Sequence, residues 1–198
     1  MKRLIFLLAI ITLGMRATAI TLTKYDNHDA PTICEIVPSM KSVYIDAFGQ
    51  VYKDHWAGPL EESFVQYFDD YFDKLEQSHN MLLVVAEKNG QVVGWILFLC
   101  SERSAIIDIL CVDPSFQQQG VGKALVSSIK EYAPDVKSVA VVTQKINTMS
   151  PFFYERLGFV KTNFLYDDHS ADEVQGYELI IEDSPNTGIY TCGVISHF

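Results

Sequence analysis

The fold is decided by a stretch that joins a strand to a helix: Ile109-Leu110-Cys111-Val112-Asp113-Pro114-Ser115-Phe116-Gln117-Gln118-Gln119-Gly120-Val121-Gly122-Lys123. An apolar strand, Ala105–Val112, stops at Asp113-Pro114, and a helix is predicted over Gly120–Tyr132. A helix that opens directly from a glycine-containing turn leaves its first backbone N–H groups unpaired. Those donors and the positive end of the helix dipole form an anion site that suits a diphosphate.

The spacing of the glycines limits which diphosphate ligands the turn is expected to bind. The turn lacks the GK[ST] of a P-loop and is not G-x-G-x-x-G, which disfavours nucleoside triphosphates and dinucleotides. The order [Q/R]-x-x-G-x-[G/A] after a strand ending V-x-P resembles instead the acyl-CoA loop of the GNAT acetyltransferases, with Gln117, Gly120 and Gly122 at its fixed positions. A second block, Asn147 to Phe159, resembles that family's N-x6-Y-E-x-L-G-F block. The resemblance covers roughly residues 20–182.

The resemblance implies a fold and an activity. The fold is a single α/β domain with a mixed central sheet of about six to seven strands, helices on both faces and splayed fourth and fifth strands. The activity is transfer of an acetyl group from acetyl-CoA, as cosubstrate, to a primary amine. The alternative kept open is a GNAT-fold module that binds acyl-CoA without catalysis.

The resemblance also implies which residues contact acetyl-CoA. With Gln117 at the fixed position that opens the loop, the diphosphate is expected on backbone amides of Gln118, Gly120, Val121, Gly122 and Lys123. The pantetheine arm is expected beside Leu110, Cys111 and Val112, as an added strand would lie. Asn147 is expected to contact the arm from the other side. Simpler roles compete: a tight turn for the glycines, a helix cap for Asn147 and a solvated position for Lys123.

Two residues are candidates for proton transfer. Tyr154 is expected near the sulfur, where a phenol can protonate the departing thiolate; a core aromatic is the competing interpretation. The amide of Val112 is the candidate donor to the oxyanion. Asp108 is the candidate base, because strand alternation places it on the same face as Val112. A water relay without a single base is the alternative, and the register leaves Ile106 as another occupant of the family's glutamate position.

Composition bounds the partners. A formal net charge of -10 argues against nucleic acid recognised through its phosphates and permits a cationic acceptor. Four cysteines without C-x-x-C spacing or a histidine cluster predict no metal site. Cys100 and Cys111 lie in apolar runs typical of buried thiols. A homodimer is an open possibility.

The ends of the chain differ from the middle. Residues 1–19 combine Lys2-Arg3, an apolar run and Ala17-Thr18-Ala19, which is typical of a secretory signal peptide and too short for a stable membrane span. Export is therefore expected, with a cytoplasmic protein as the alternative if translation starts at Met15. A third interpretation of the run is an amphiphilic helix that docks on the domain. The domain is expected over residues 20–182 and a tail over 183–198.

Periodicity predicts the remaining elements. A helix over Asp29–Phe48 is expected to break at Pro38, and Gly49 to Gly58 to form a loop. An acidic amphipathic helix over Glu61–Gln77 presents either a solvated face or one that attracts cations. The other predicted elements are strands at Ile20–Lys24, Met81–Glu87, Val92–Cys100, Val139–Thr143, Phe159–Tyr166 and Tyr177–Glu182, and a helix at Met149–Leu157.

Overall fold

A computed structural model describes residues 19–25, 30–52, 80–163 and 173–181. In chain order these form β1 (Thr21–Tyr25), α1 (Ala30–Tyr52), β2 (Met81–Lys88), β3 (Gln91–Cys100), β4 (Ser104–Val112), α2 (Val121–Tyr132), β5 (Ser138–Gln144), α3 (Met149–Arg156), β6 (Val160–Thr162) and β7 (Val174–Ile180). The strands make one seven-stranded sheet in the order β1-β2-β3-β4-β5-β7-β6. The predicted α/β class with a mixed sheet is confirmed.

Apolar side chains cover both faces of the sheet. On one face, α2 and α3 pack over a cluster that includes Val84, Ile96, Ile107, Val139 and Tyr177. On the other, α1 packs over a cluster that includes Trp95, whose indole N–H donates to the carbonyl of Met40 at 3.2 Å. Burial on both faces explains the near-continuous apolar runs of β2 and β3. Among the described residues, no helix is long and apolar enough to cross a bilayer.

The fourth and fifth strands separate along their length. They pair in parallel only from Ser104↔Ser138 to Ile107↔Val141. Beyond that point β4 remains paired with β3 as far as Val112, and β5 remains paired with β7 as far as Gln144. The carboxyl ends of β4 and β5 therefore border a wedge-shaped gap in the sheet, which confirms the expected splay.

A β-bulge interrupts β4 at the apex of this gap. Leu97 pairs with Ile109 and the next residue, Phe98, pairs with Ile107, so the register skips Asp108. Two residues apart, side chains of a regular strand share a face, but here they lie on opposite faces of the sheet. Ile107 packs under α2 and α3, whereas Ile109 packs under α1. Regular alternation is therefore interrupted beside Asp108, and a shared face for Asp108 and Val112 stays a prediction.

The first helix also corrects a prediction. It runs without interruption through Pro38 and continues to Tyr52, past the expected break and into the expected loop. Pro38 and Cys34, four residues apart, are both exposed. The carbonyl of Cys34, which proline leaves without its N–H partner, thus lies on the solvated face, where water can satisfy it.

Other boundaries differ more modestly. The sixth strand ends at Thr162, and the seventh begins at Val174, three residues before the predicted Tyr177. Residues 1–18 of the expected leader, the expected helix Glu61–Gln77 and the expected tail 183–198 lie outside the described residues.

Candidate active site

The turn after β4 is shaped by local hydrogen bonds. The carboxylate of Asp113 accepts from the N–H of Ser115 at 2.8 Å and begins a single 3-10 turn, Pro114–Phe116. The side chain of Gln117 then reaches back, and its Nε2 donates to the carbonyl of Val112 at 3.2 Å. Gln117 therefore links the turn to the end of β4 through its side chain.

Two left-handed residues follow. Gln118 has φ 59° and Gly120 has φ 87°, and left-handed residues in a turn direct neighbouring N–H groups to one side as an anion-binding concavity. Gly120 begins α2 without a side-chain cap. Among the described residues, none accepts a hydrogen bond from the N–H groups of Val121, Gly122 or Lys123; the first intrahelical bond joins the N–H of Ala124 to the carbonyl of Gly120 at 2.9 Å.

The two glycines serve different purposes. A Cβ on Gly120 would meet no atom within 4 Å, so open space lies above it. A Cβ on Gly122 would meet Cε2 of Phe153 at 3.0 Å and Cζ at 3.1 Å. Gly120 thus provides the positive φ and a bare surface, whereas Gly122 allows α2 to start against α3.

Beyond Ile107, no described strand pairs with the edge of β4 that faces the gap. The N–H of Asp113 donates to the carbonyl of Val93 at 2.9 Å, on the β3 side. Because successive N–H groups of a strand point to opposite edges, those of Val112 and Leu110 point into the gap. This edge is the one on which an extended, amide-containing ligand could pair.

The helix after β5 presents Asn147 and Tyr154 on the other side. Asn147 caps α3: its Oδ1 accepts from the N–H of Ser150 at 3.1 Å, so the predicted capping role is confirmed. Tyr154 is only 5% exposed. Its ring makes edge contacts with Phe153 and Phe159, at centroid distances of 5.0 and 5.2 Å, and stacks on Tyr177 at 6.3 Å.

Comparison with known proteins decides the family. The sequence model of the acetyltransferase (GNAT) family matches residues 46–159, more than half of the 198-residue chain. The chain belongs to the acetyltransferase (GNAT) family. The match contains the turn, the splayed strands and α3, so the GNAT interpretation of both sequence blocks is confirmed.

Solved structures share the GNAT fold at low identity. The PaiA N-acetyltransferase of Thermoplasma acidophilum, solved in complex with coenzyme A, superposes with a TM-score of 0.63 at 15% identity over 82% of this chain and 99% of that one. The ribosomal-protein-S18-alanine N-acetyltransferase of Escherichia coli gives a TM-score of 0.57 at 19% identity over 86% of this chain and 100% of that one. These likenesses show the fold.

Two curated Bacillus subtilis proteins show local similarity to this GNAT chain. The spore coat polysaccharide biosynthesis protein SpsD is 30% identical over 88 residues, which is 43% of this chain and 30% of SpsD. The UPF0157 protein YqkA is 31% identical over 74 residues, which is 37% of this chain and 22% of YqkA. The chain therefore spans less than a third of the length of either protein.

In this GNAT domain the ionisable side chains of Tyr154 and Cys111 are both buried. Burial raises the pKa of the Tyr154 phenol far above its ordinary value, and the neighbouring Cys111 adds to the rise. Burial likewise raises the pKa of the Cys111 thiol. Both groups are therefore neutral at physiological pH, in agreement with the expected buried thiol at Cys111. Cys100 is only half-buried, and burial raises its pKa to about 11.

One basic residue beside the GNAT turn was not predicted. The ammonium of Lys88, at the end of β2, donates to Oε1 of Gln119 at 3.0 Å and lies 5.6 Å from the centre of the Phe116 ring. The Nε2 of Gln119 in turn donates to the carbonyl of Ser115 at 2.8 Å. Lys88 is 31 residues away in sequence, and only the antiparallel pairing of β2, β3 and β4 brings it to the turn.

A cleft on the α1 side of the GNAT sheet was not predicted either. Its volume is about 780 Å³, and it lies between the second half of α1 and the turn after β4. Two carboxylates, Asp46 and Asp113, are among its lining residues, with Ile45, Gly49, Gln50, Pro114 and Ser115. No sequence motif marks it, because its walls come from segments more than 60 residues apart.

Proposed function

We propose that this GNAT chain is an N-acetyltransferase that transfers an acetyl group from acetyl-CoA to a primary amine. The observation that carries the proposal is the juxtaposition of two features: N–H groups at the start of α2 that have no acceptor among the described residues, and an edge of β4 that no described strand covers. Acetyl-CoA offers a matching pair of features, a diphosphate and an arm that contains amides. Metal-binding groups of three or more ligands do not occur among the described residues, and the proposed reaction uses none.

The turn and the strand edge divide the binding of acetyl-CoA between them. The amides of Gln118 and Gly120–Lys123 donate to the diphosphate, since they point into a concavity at the positive end of α2. The N–H of Val112, at the mouth of the gap, donates to an amide carbonyl of the arm, as an added strand would accept it, and Leu110 lies nearer the acyl end. The Nδ2 of Asn147 is available to the arm because the cap uses Oδ1. Binding of coenzyme A by the Thermoplasma neighbour supports this assignment.

The chain must supply three things to the reaction. An alkyl ammonium with an ordinary pKa near 10.4 is almost wholly protonated at pH 7, so a proton has to leave before its nitrogen attacks the thioester carbon. The oxyanion formed by attack needs a donor. For this role we propose the Leu110 N–H, which points into the gap near its apex, rather than the Val112 N–H expected from the sequence, because Val112 lies at the mouth of the gap, where the arm enters. When the carbon–sulfur bond breaks, the coenzyme A thiolate needs stabilisation and a proton.

Tyr154 is the proposed partner of the thiolate. Burial raises the pKa of its phenol and keeps it protonated at physiological pH, so it can donate a hydrogen bond there. The same raised pKa makes complete transfer of its proton unfavourable until the thiolate is fully formed. We therefore assign to Tyr154 a hydrogen bond that strengthens as charge develops on sulfur, with the amine's proton restoring the balance through solvent.

The proton of the amine has two possible routes out of the site. Asp108 sits at the bulge, at the apex of the gap, where an amine approaching the thioester would arrive. A chain of water molecules that leads to bulk solvent would perform the same task. The proposal is that Asp108 either accepts the proton itself or anchors such a chain.

The acceptor is proposed to be cationic before it reacts. The cleft between α1 and the turn after β4 opens at the carboxyl end of β4 and carries the side chains of Asp46 and Asp113. The net charge of -10 adds a long-range attraction for cations. Small amines, polyamines and peptide amines all satisfy this requirement.

The experiment is the release of coenzyme A thiol from acetyl-CoA in the presence of a panel of primary amines. Wild type is compared with Tyr154→Phe and with Tyr132→Phe, a matched loss of a hydroxyl at the far end of α2. Loss of a hydrogen bond to a developing charge predicts a kcat lower by about 10- to 100-fold for Tyr154→Phe and unchanged for Tyr132→Phe. Equal rates in all three proteins would remove Tyr154 from the mechanism. Binding of acetyl-CoA without turnover of any amine would instead favour the binding module.

A further inference from the structure

Thr143 carries a buried hydroxyl in β5. Thr143 is 8% exposed, and its Oγ1 has no hydrogen bond to any described residue. A buried hydroxyl without a partner costs free energy, because water satisfied it in the unfolded chain. A bound ligand that accepts a hydrogen bond from this hydroxyl would remove the cost.

The position of Thr143 is at the start of the gap. The last pair between β4 and β5 is Ile107↔Val141, and Thr143 lies two residues further along, about 7 Å past the apex at the usual rise of a strand. On the β4 side, Leu110 lies at about the same level once the bulge at Asp108 is allowed for. Thr143 therefore lies opposite the strand edge assigned to the pantetheine arm.

Thr143 also belongs to the face of the sheet that carries Tyr154. Alternate residues of β5, Val139, Val141 and Thr143, are buried on one face. Val139 and Val141 pack in the same cluster as Tyr154, under α2 and α3. The unpaired hydroxyl thus shares a face with the phenol proposed to meet the sulfur.

The direction of the arm places its reactive end here. The diphosphate is held at the start of α2, beyond the open mouth of the gap, so an arm that enters from there reaches the apex last. We infer that the hydroxyl of Thr143 donates a hydrogen bond to a carbonyl oxygen at the reactive end of the bound acyl-pantetheine arm. This inference rests on the proposed function and adds a binding residue to it. An ordinary hydroxyl suffices, because a neutral carbonyl oxygen accepts a hydrogen bond from an uncharged O–H group.

The test measures the melting temperature of the free protein and its Kd for acetyl-CoA. If Thr143 had only a structural role, its substitution would not keep the stability and weaken the binding at the same time. Thr143→Val is nearly isosteric and removes the unpaired hydroxyl. The free variant should melt at a temperature equal to or above that of wild type, whereas its Kd for acetyl-CoA should rise about three- to tenfold. Thr143→Ser, which keeps the hydroxyl, should bind within about twofold of wild type.

A ligand without the arm provides the internal control. Adenosine 3′-phosphate 5′-diphosphate carries the nucleotide and the diphosphate of coenzyme A but not the pantetheine arm, and its Kd should be the same for all three proteins by calorimetry. A loss with acetyl-CoA alone would assign the thioester carbonyl as acceptor, and an equal loss with free coenzyme A would assign an amide carbonyl of the arm.

Several outcomes would overturn the inference. They are undiminished binding of acetyl-CoA by Thr143→Val, an equal loss in Thr143→Ser, an equal loss for the ligand without the arm, or a lower melting temperature of the free Val variant. A wild-type chain that binds neither acetyl-CoA nor the nucleotide would overturn the proposed function as well. A wild type that binds both, with an unaffected Val variant, would overturn the role of Thr143 alone.

Discussion

Replacing Gly120 by alanine separates the stability of the turn from its binding of a diphosphate. Gly120 has φ 87°, a conformation that costs an alanine about 1–2 kcal/mol. No atom lies within 4 Å of the added Cβ, so steric overlap adds nothing in the free protein. The expected loss of unfolding free energy is therefore about 1–2 kcal/mol.

Gly90 offers a matched control in the β2–β3 turn. It has φ 73°, and a Cβ there also meets nothing within 4 Å. Gly90→Ala should therefore lose the same 1–2 kcal/mol of stability. Urea unfolding of the two variants should give closely similar midpoints, both below that of wild type.

The two variants should differ in their affinity for acetyl-CoA. In Gly120→Ala the new methyl group stands where a phosphate must approach, and it withdraws one or two amides from hydrogen bonds with an anion. At about 1.5–3 kcal/mol for each such bond, the Kd should rise by about 10- to 150-fold for one lost bond and by about 150- to 25,000-fold for two. Gly90→Ala should bind as wild type does in the same calorimetric titration. Equal affinities for acetyl-CoA in the two variants would refute the assignment of the turn as a diphosphate site.

Three further predictions concern neighbouring residues. Lys88→Met should raise the Kd for acetyl-CoA by about two- to fivefold at low salt and by less at 0.5 M salt, because an exposed ammonium beside the turn is screened; a salt-independent change would contradict an electrostatic role. Burial raises the pKa of the Cys100 thiol to about 11, so the rate of its alkylation should increase about tenfold for each pH unit up to about pH 11. The exposed Cys34 should be labelled first, and peptide mass spectrometry would distinguish the two sites. Stability should fall as pH rises above 10, because native Tyr154 keeps a proton that the unfolded chain loses; Tyr154→Phe should lessen this slope in urea titrations, and an unchanged slope would count against the burial argument.

Local patterns predicted the parts of the fold that local physics determines. The strand, turn and helix from Ala105 to Tyr132 followed from an apolar run, an Asp-Pro stop and two glycines. The structure places the helix start within one residue of the predicted Gly120. The cap at Asn147 followed from a residue type that hydrogen-bonds its own backbone. The splay was predicted only through the family resemblance, since no local pattern encodes where two strands part.

The remaining features depend on contacts between distant residues. Pro38 was expected to end a helix, but tertiary packing of buried residues such as Ile33, Met40 and Val43 keeps α1 continuous on both sides of it. The bulge at Asp108 depends on how β4 pairs with β3. The alternation of apolar and polar residues along β4 alone does not reveal it. Lys88 beside the turn and the unpaired hydroxyl of Thr143 appear only when the sheet is assembled.

The most direct test of the account is a crystal structure of the wild-type chain with acetyl-CoA. The account predicts diphosphate oxygens within about 3.2 Å of the amide nitrogens of Val121, Gly122 and Lys123, with the arm lying between β4 and β5. A coenzyme bound elsewhere, with those three amides still in contact with solvent, would contradict it.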